Sequence, residues 1–241
     1  YKKALKSKPN FAEANNNLGY AFRELGNPED SLTYIDKALE IKPNYAEAYN
    51  NKGSAYEETG REDLALNNYQ KAIKIKPDYA EVYNNIGMIY SDHAKFDEAL
   101  FNYNKVINLI PNYEKTNNNL VNVLSSTYNN LGNLLSNLGK HNEATTAYLQ
   151  AIKVKPDYAI AYSNLLFNLN YKIDFDPELY LSIAKKFRLN CKLVNKNLNF
   201  EYQYEKEPKK LKVGFVSADF GNHPGGFFTL NTLRELKNKN I

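Results

Sequence analysis

The chain of 241 residues has one cysteine, one methionine and no tryptophan. A single Cys excludes an intrachain disulfide framework and any metal site built from several cysteines, and no other metal site is expected. It also fits a reducing compartment, so a cytoplasmic location is expected. Arginine is nearly as scarce, with 4 Arg against 27 Lys. No apolar run approaches the roughly 20 residues needed to span a bilayer, and no basic-then-apolar leader opens the chain, so no membrane partner is expected. The net charge of +4 is small and scattered, which argues against nucleic acid as a partner. One residue is abundant. Asn occurs 36 times.

The chain repeats itself. Pro9, Pro43, Pro77 and Pro111 are 34 residues apart. Asn-Asn-Leu-Gly at 16–19, Asn-Asn-Lys-Gly at 50–53 and Asn-Asn-Ile-Gly at 84–87 fall in the same register, as do Lys-Ala-Leu-Glu-Ile-Lys-Pro (37–43) and Lys-Ala-Ile-Lys-Ile-Lys-Pro (71–77). This pattern resembles the tetratricopeptide (TPR) repeat, two antiparallel helices per unit. Pro ends the second helix, and Asn10, Asn44, Asp78, Asn112 and Asp157 follow as expected N-caps. Glu13, Glu47 and Glu81 stand three residues later as capping-box partners. Gly19, Gly53, Gly87 and Gly132 let the two helices approach. Gly26, Gly60 and Gly139 mark the turn between them, where the third unit has Ala94. Tyr49, Tyr83, Tyr128 and Tyr162 on the first helices, and Tyr69, Tyr103 and Tyr148 on the second, are expected core residues.

The array begins part-way through a unit and lacks an initiator Met, so the chain is expected to be a piece of something longer. Pro111 and Pro156 are 45 residues apart, eleven more than the period. Eleven residues are about three helical turns, so the extra length fits inside a helix with its faces kept in register. One long helix is expected from near Glu114 to Leu138; the alternative is an extra, imperfect helix broken near Ser125–Ser126.

The Asn residues also keep the period. Asn17, Asn51, Asn85 and Asn119 are 34 apart, and so are Asn130 and Asn164 across the insertion. All six take the same place on a first helix. In a solenoid of this kind those helices line the concave side. A row of carboxamides there can donate to and accept from an extended peptide backbone independently of its sequence. Asn is a mediocre helix former, so a strictly repeated one in a helix interior needs an offsetting reason. Asn67, Asn68 and Asn102 read as compositional filler, and His93 and His141 as solvated residues in turns.

The pattern continues through a first helix at Asp157–Asn170 and stops near Tyr171. Pro177 to Leu193 reads as a further helix with Leu179, Ile183, Phe187 and Leu189 or Cys191 as apolar contacts. Cys191 reads as a buried small residue. Residues 194–210 read as a linker, closing a 172–210 helix-and-linker region after the 1–171 repeats. Leu211-Lys-Val-Gly-Phe-Val-Ser217 then reads as a buried parallel strand, 218–226 as a turn-rich loop and 227–238 as a helix. The fold class expected is an all-α solenoid followed by the first β-α unit of an incomplete Rossmann-like domain at 211–241.

The repeats, then Ser163-Asn-Leu-Leu-Phe-Asn-Leu-Asn-Tyr171, then Leu211-Lys-Val-Gly-Phe-Val-Ser-Ala-Asp-Phe-Gly-Asn-His-Pro224, resemble the O-GlcNAc transferase and SPINDLY-type glycosyltransferases, the bacterial members most. The resemblance implies a protein O-glycosyltransferase whose TPR groove recruits protein or peptide acceptors through an inner asparagine ladder. It implies that His223 is the active-site histidine, able to act as a general base or to orient an acceptor hydroxyl. It also implies a nucleotide-sugar donor, UDP-GlcNAc or GDP-fucose, bound in a second Rossmann-like domain outside this chain. The chain itself is then expected to hold no cofactor and to be inactive alone. The alternative is a non-catalytic TPR scaffold for protein assembly.

Overall fold

A computed structural model of the chain describes Tyr1, Leu5 and residues 10–172 and 176–190. Ten α-helices follow one another over 12–190: α1 (Ala12–Glu24), α2 (Pro28–Ile41), α3 (Ala46–Glu58), α4 (Glu62–Ile75), α5 (Ala80–Asp92), α6 (Phe96–Leu109), α7 (Asn118–Asn137), α8 (His141–Val154), α9 (Ala159–Leu169) and α10 (Pro177–Asn190). Consecutive helices pack as pairs, and α1 also touches α3, α5 touches α7 and α7 touches α9, while α3 and α5 meet through Asn50 and Asn85. The result is a solenoid of helical pairs, all-α among the described residues. The expected strand at 211–217, the linker, Cys191 and the loop carrying His223 lie outside the described residues.

Two glycine positions make the pairs possible. A Cβ at Gly53 would lie 2.5 Å from Tyr69 Cε1, and one at Gly87 2.6 Å from Tyr103 Cε1. The rings they would meet are fully buried, so the missing side chain is what admits the tyrosine between helices. The turns within pairs take the left-handed conformation at Gly26, Gly60 and Gly139, with φ of 71–74°. Ala94 adopts it too, at φ 56°, where its Cβ is disfavoured.

The joints between pairs differ from the expected capping boxes. The helices start one residue later than Asn10, Asn44 and Asp78 would place them, after Phe11, Tyr45 and Tyr79, and no side chain at those cap positions bonds the backbone. A different device recurs. At three joints the Lys before the Pro lies over the ring of the Tyr after it: Lys42 over Tyr45 at 4.4 Å, Lys76 over Tyr79 at 4.6 Å and Lys155 over Tyr158 at 5.6 Å. The first two also meet a glutamate one helix back, Glu13 at 3.4 Å and Glu47 at 3.6 Å. Each Lys-Pro-x-Tyr joint is thus closed by a cation over an aromatic face.

The insertion does lengthen one helix. α7 runs 20 residues without a break at Ser125–Ser126, but it starts at Asn118 rather than near Glu114. A short 3₁₀ turn, Tyr113–Lys115, precedes it. Thr116 is extended, and Asn117 Oδ1 accepts the Leu120 amide at 3.0 Å, so the cap lies at Asn117. At the far end, Asp176 Oδ1 accepts the amides of Glu178 and Leu179 and caps α10. Ile183, Leu179 and Phe187 pack on Tyr162 and Leu165, as expected, whereas Leu189 points out and is 74% exposed.

Candidate functional site: an asparagine-lined cleft

The Asn-Asn pairs divide their work. The first member of each pair, Asn16, Asn50, Asn84 and Asn129, is buried, and the second is half-buried or exposed. The second member donates its amide to the first member of the preceding unit: Asn51 to Asn16 Oδ1 at 2.9 Å, Asn85 to Asn50 Oδ1 at 3.4 Å, Asn130 to Asn84 Oδ1 at 3.2 Å and Asn164 to Asn129 Oδ1 at 3.0 Å. This bond between neighbouring units is the offsetting reason for Asn inside a helix. The direction of the ladder is fixed at Asn50, whose Nδ2 donates to the Glu81 carboxylate at 3.2 Å. A carboxylate only accepts, so Asn50 must turn its oxygen toward Asn85.

The sequence singled out only the second members. Asn51, Asn85, Asn130 and Asn164 stand in the ladder, Asn17 is exposed on α1, and Asn119 is exposed in the first turn of α7. Asn119 and Asn130 share a helix, but only Asn130 reaches the cleft described next. The buried first members have the same period and were legible by it. Asn68 and Asn102 are not filler either. Both are buried, and each donates to the carbonyl four residues back, at 2.7 and 2.8 Å.

A cleft of about 470 Å³ opens across three odd-numbered helices. α5 contributes Met88, Ser91 and Asp92. α7 contributes Asn130, Asn133, Ser136 and Asn137, and α9 contributes Asn164 and Phe167; Tyr103 and Tyr148 form part of the lining from α6 and α8. The polar atoms here are oriented by their bonds. Asn164 donates to both Asn129 Oδ1 and Asn133 Oδ1, the latter at 3.1 Å, and Tyr148 donates to the same Asn133 oxygen at 2.8 Å. Asn164 is therefore left with an accepting oxygen and Asn133 with a donating nitrogen. The Tyr148 hydroxyl is pushed up to about 12 by burial, so it is a donor at neutral pH.

Beside the cleft, Asn168 is 1% exposed and ties three helices together. Its Nδ2 donates to His141 O and Thr145 Oγ1, and its Oδ1 accepts from Ser136 and faces His141 Nδ1 at 2.9 Å. His141 also stacks on Tyr171. It is thus a structural residue and not a solvated bystander. His93 pairs with Glu62 at the surface. Among the described residues no cluster of His, Cys, Asp and Glu could hold a metal ion, and no helix is long and apolar enough to cross a membrane.

Paired helices stacked at a 34-residue period, with glycine where each of the first four pairs crosses, define an α-α repeat solenoid. Residues 10–78, 68–101 and 125–158 each match the tetratricopeptide repeat, and the chain carries tetratricopeptide repeats. No curated protein matches it significantly. Similar solved structures include the Pseudomonas aeruginosa pilF protein (20% identity, 75% of each chain, TM-score 0.60). MamA is 27% identical over 66% of this chain and 86% of its own, with a TM-score of 0.53. YrrB, described as a TPR protein with an unusual peptide-binding site, is 20% identical over 80% of this chain and 93% of its own, with a TM-score of 0.53.

Proposed function

We propose that the helical array is a scaffold that binds an extended peptide segment of a partner protein in the cleft between α5, α7 and α9. The observation that carries this reading is the pair left open in the cleft. Asn133 offers N–H groups and Asn164 offers an oxygen, and a peptide unit needs one of each. The peptide-binding site ascribed to YrrB, a neighbour in fold, supports the same use of the architecture. A fluorescence-anisotropy titration with labelled unstructured peptides tests it. Replacing Asn133 by Leu removes the donor and the oxygen that orients Asn164 and Tyr148, and it should reduce affinity about tenfold without changing helix content. Unaltered affinity would place the binding elsewhere or nowhere.

A second reading is a nucleotide-sugar-dependent protein O-glycosyltransferase, with UDP-GlcNAc or GDP-fucose as donor and His223 close to the acceptor hydroxyl. It rests on the segments 163–171 and 211–224 alone. The matched repeats and folds carry no glycosyltransferase signal. Transfer of radiolabelled sugar by the natural full-length protein, lowered about 10²-fold by His223→Ala, would support it. No transfer from either donor would reject it.

A further inference from the structure

The cleft changes character along the array. At one position on successive odd-numbered helices the residues are Glu24, Glu58, Asp92 and Asn137, and Tyr171 follows the end of α9 at the same place. One turn earlier stand Tyr20, Ser54, Met88, Asn133 and Phe167. Within the cleft, from α5 to α9, the lining therefore runs from acidic at Asp92 through carboxamide at Asn133 and Asn137 to aromatic at Phe167.

The two ends are not equally available. Glu24 and Glu58 are both paired with Arg23, at 2.9 and 3.3 Å. Asp92 is exposed, is the one charged residue in the cleft lining, and takes part in no ion pair among the described residues. Its charge is felt nearby, since it adds to the burial that pushes up both the Glu57 carboxyl and the Tyr103 hydroxyl. At the other end Phe167 is 63% exposed and meets Tyr171 edge-on, with ring centroids 5.1 Å apart. Tyr171 is 56% exposed in turn. Two large aromatic rings held open at a cleft mouth are an apolar anchor site.

From these placements we infer that the cleft selects an extended peptide carrying a Lys or Arg and an aromatic residue about five or six positions apart, the cation at Asp92 and the ring on Phe167. This rests on the peptide-scaffold reading and specifies its ligand. The spacing follows from the fold. Asp92 and Phe167 are two helix neighbours apart, roughly 16–20 Å at the usual 8–10 Å between packed helices. An extended chain covers that in about five or six residues at ~3.3 Å each.

The test is an anisotropy titration at low salt with a fluorescein-labelled Ser/Gly/Thr peptide bearing Lys and Phe six positions apart, in both sequence orders. Its Lys→Glu and Phe→Ala counterparts are the comparison probes. The chain should prefer the Lys peptide over the Glu peptide by about fivefold, as an exposed charge pair allows. Asp92→Lys should reverse that preference. Phe167→Ala should lose about fivefold on the Phe peptide and nothing on the Ala peptide. Both residues are exposed, so neither change threatens the fold. Equal binding of all the peptides would overturn the inference and leave the scaffold reading intact. Binding of none would overturn both.

Discussion

The bond between Asn51 and Asn16 gives the sharpest test of why asparagine recurs. Asn16 is 4% exposed, and its Oδ1 accepts from Asn51 Nδ2 at 2.9 Å. Asn51→Ala leaves that oxygen buried without its donor, which costs about 1–3 kcal/mol. Asn51 is itself half-buried, so water can partly take its place, and the lower half of that range applies. Alanine is also the better helix former by about 0.5 kcal/mol. The net loss expected is therefore ~0.5–1.5 kcal/mol, small enough to be ambiguous alone. A double-mutant cycle with Asn16→Ala removes the propensity contribution, and the coupling should be about 1 kcal/mol by urea denaturation. Asn17→Ala, on an exposed residue of the same helix, serves as control and should change stability by less than about 0.5 kcal/mol. A coupling below about 0.3 kcal/mol would refute the ladder as a stabilising device and return these residues to compositional filler. The same geometry means that alanine at Asn51, Asn85 and Asn130 together is not a clean test of ligand binding, because it also takes a donor from three buried oxygens, of which only that of Asn84 keeps another, the Thr127 hydroxyl.

Further outcomes follow from individual positions. Ala94→Gly relieves a left-handed alanine and should stabilise the array by about 0.5–1 kcal/mol in thermal or urea melts. Gly87→Ala sets a Cβ 2.6 Å from the buried Tyr103 ring and should destabilise by about 2–3 kcal/mol, with loss of near-ultraviolet tyrosine dichroism. The Glu57 carboxyl is pushed up, chiefly by burial, while Tyr69 donates to it at 2.7 Å. An acid raised in the folded state contributes its full stability below its ordinary range, and that contribution is lost as pH rises through the raised value. Glu57→Gln keeps an acceptor for Tyr69 and titrates no longer. It should therefore be more stable than the wild type at pH 7 and lose that advantage at pH 4, read from urea midpoints at both.

The architecture was legible because a helical repeat writes the same constraint several times. The 34-residue spacing, the glycine where each of the first four pairs crosses and the glycine at three of their four turns all reappear in the structure with the physical roles their chemistry suggests. The length of the insertion was enough to place a long helix. Its start was not, since Thr-Asn-Asn-Asn offers several caps and only the fold selects Asn117. The joints differ from their sequence pattern for a similar reason. Asn44 and Asp78 are good caps in isolation, yet the chain continues one residue further, where Tyr45 and Tyr79 lie under lysines. The site was half legible. Period alone found the second Asn of each pair but could not show that its partner is the first Asn of the unit before. The role of His141 depends on Asn168, 27 residues away, and no local signal joins them. Phe167 and Asp92 were visible as residues, but their place at opposite ends of one cleft needed three helices in position.

Peptide binding by the array turns on the carboxamides of the cleft meeting the peptide backbone. The side-chain amide resonances of Asn133 and Asn164 in the ¹⁵N-labelled protein, assigned through Asn133→Leu and Asn164→Leu and followed during titration with the Lys/Phe peptide, report on that contact directly. Both should shift together and saturate at one affinity, while the exposed amide of Asn17 stays unmoved. Shifts confined to other asparagines, or binding that leaves both resonances where they were, would contradict the cleft as the binding site.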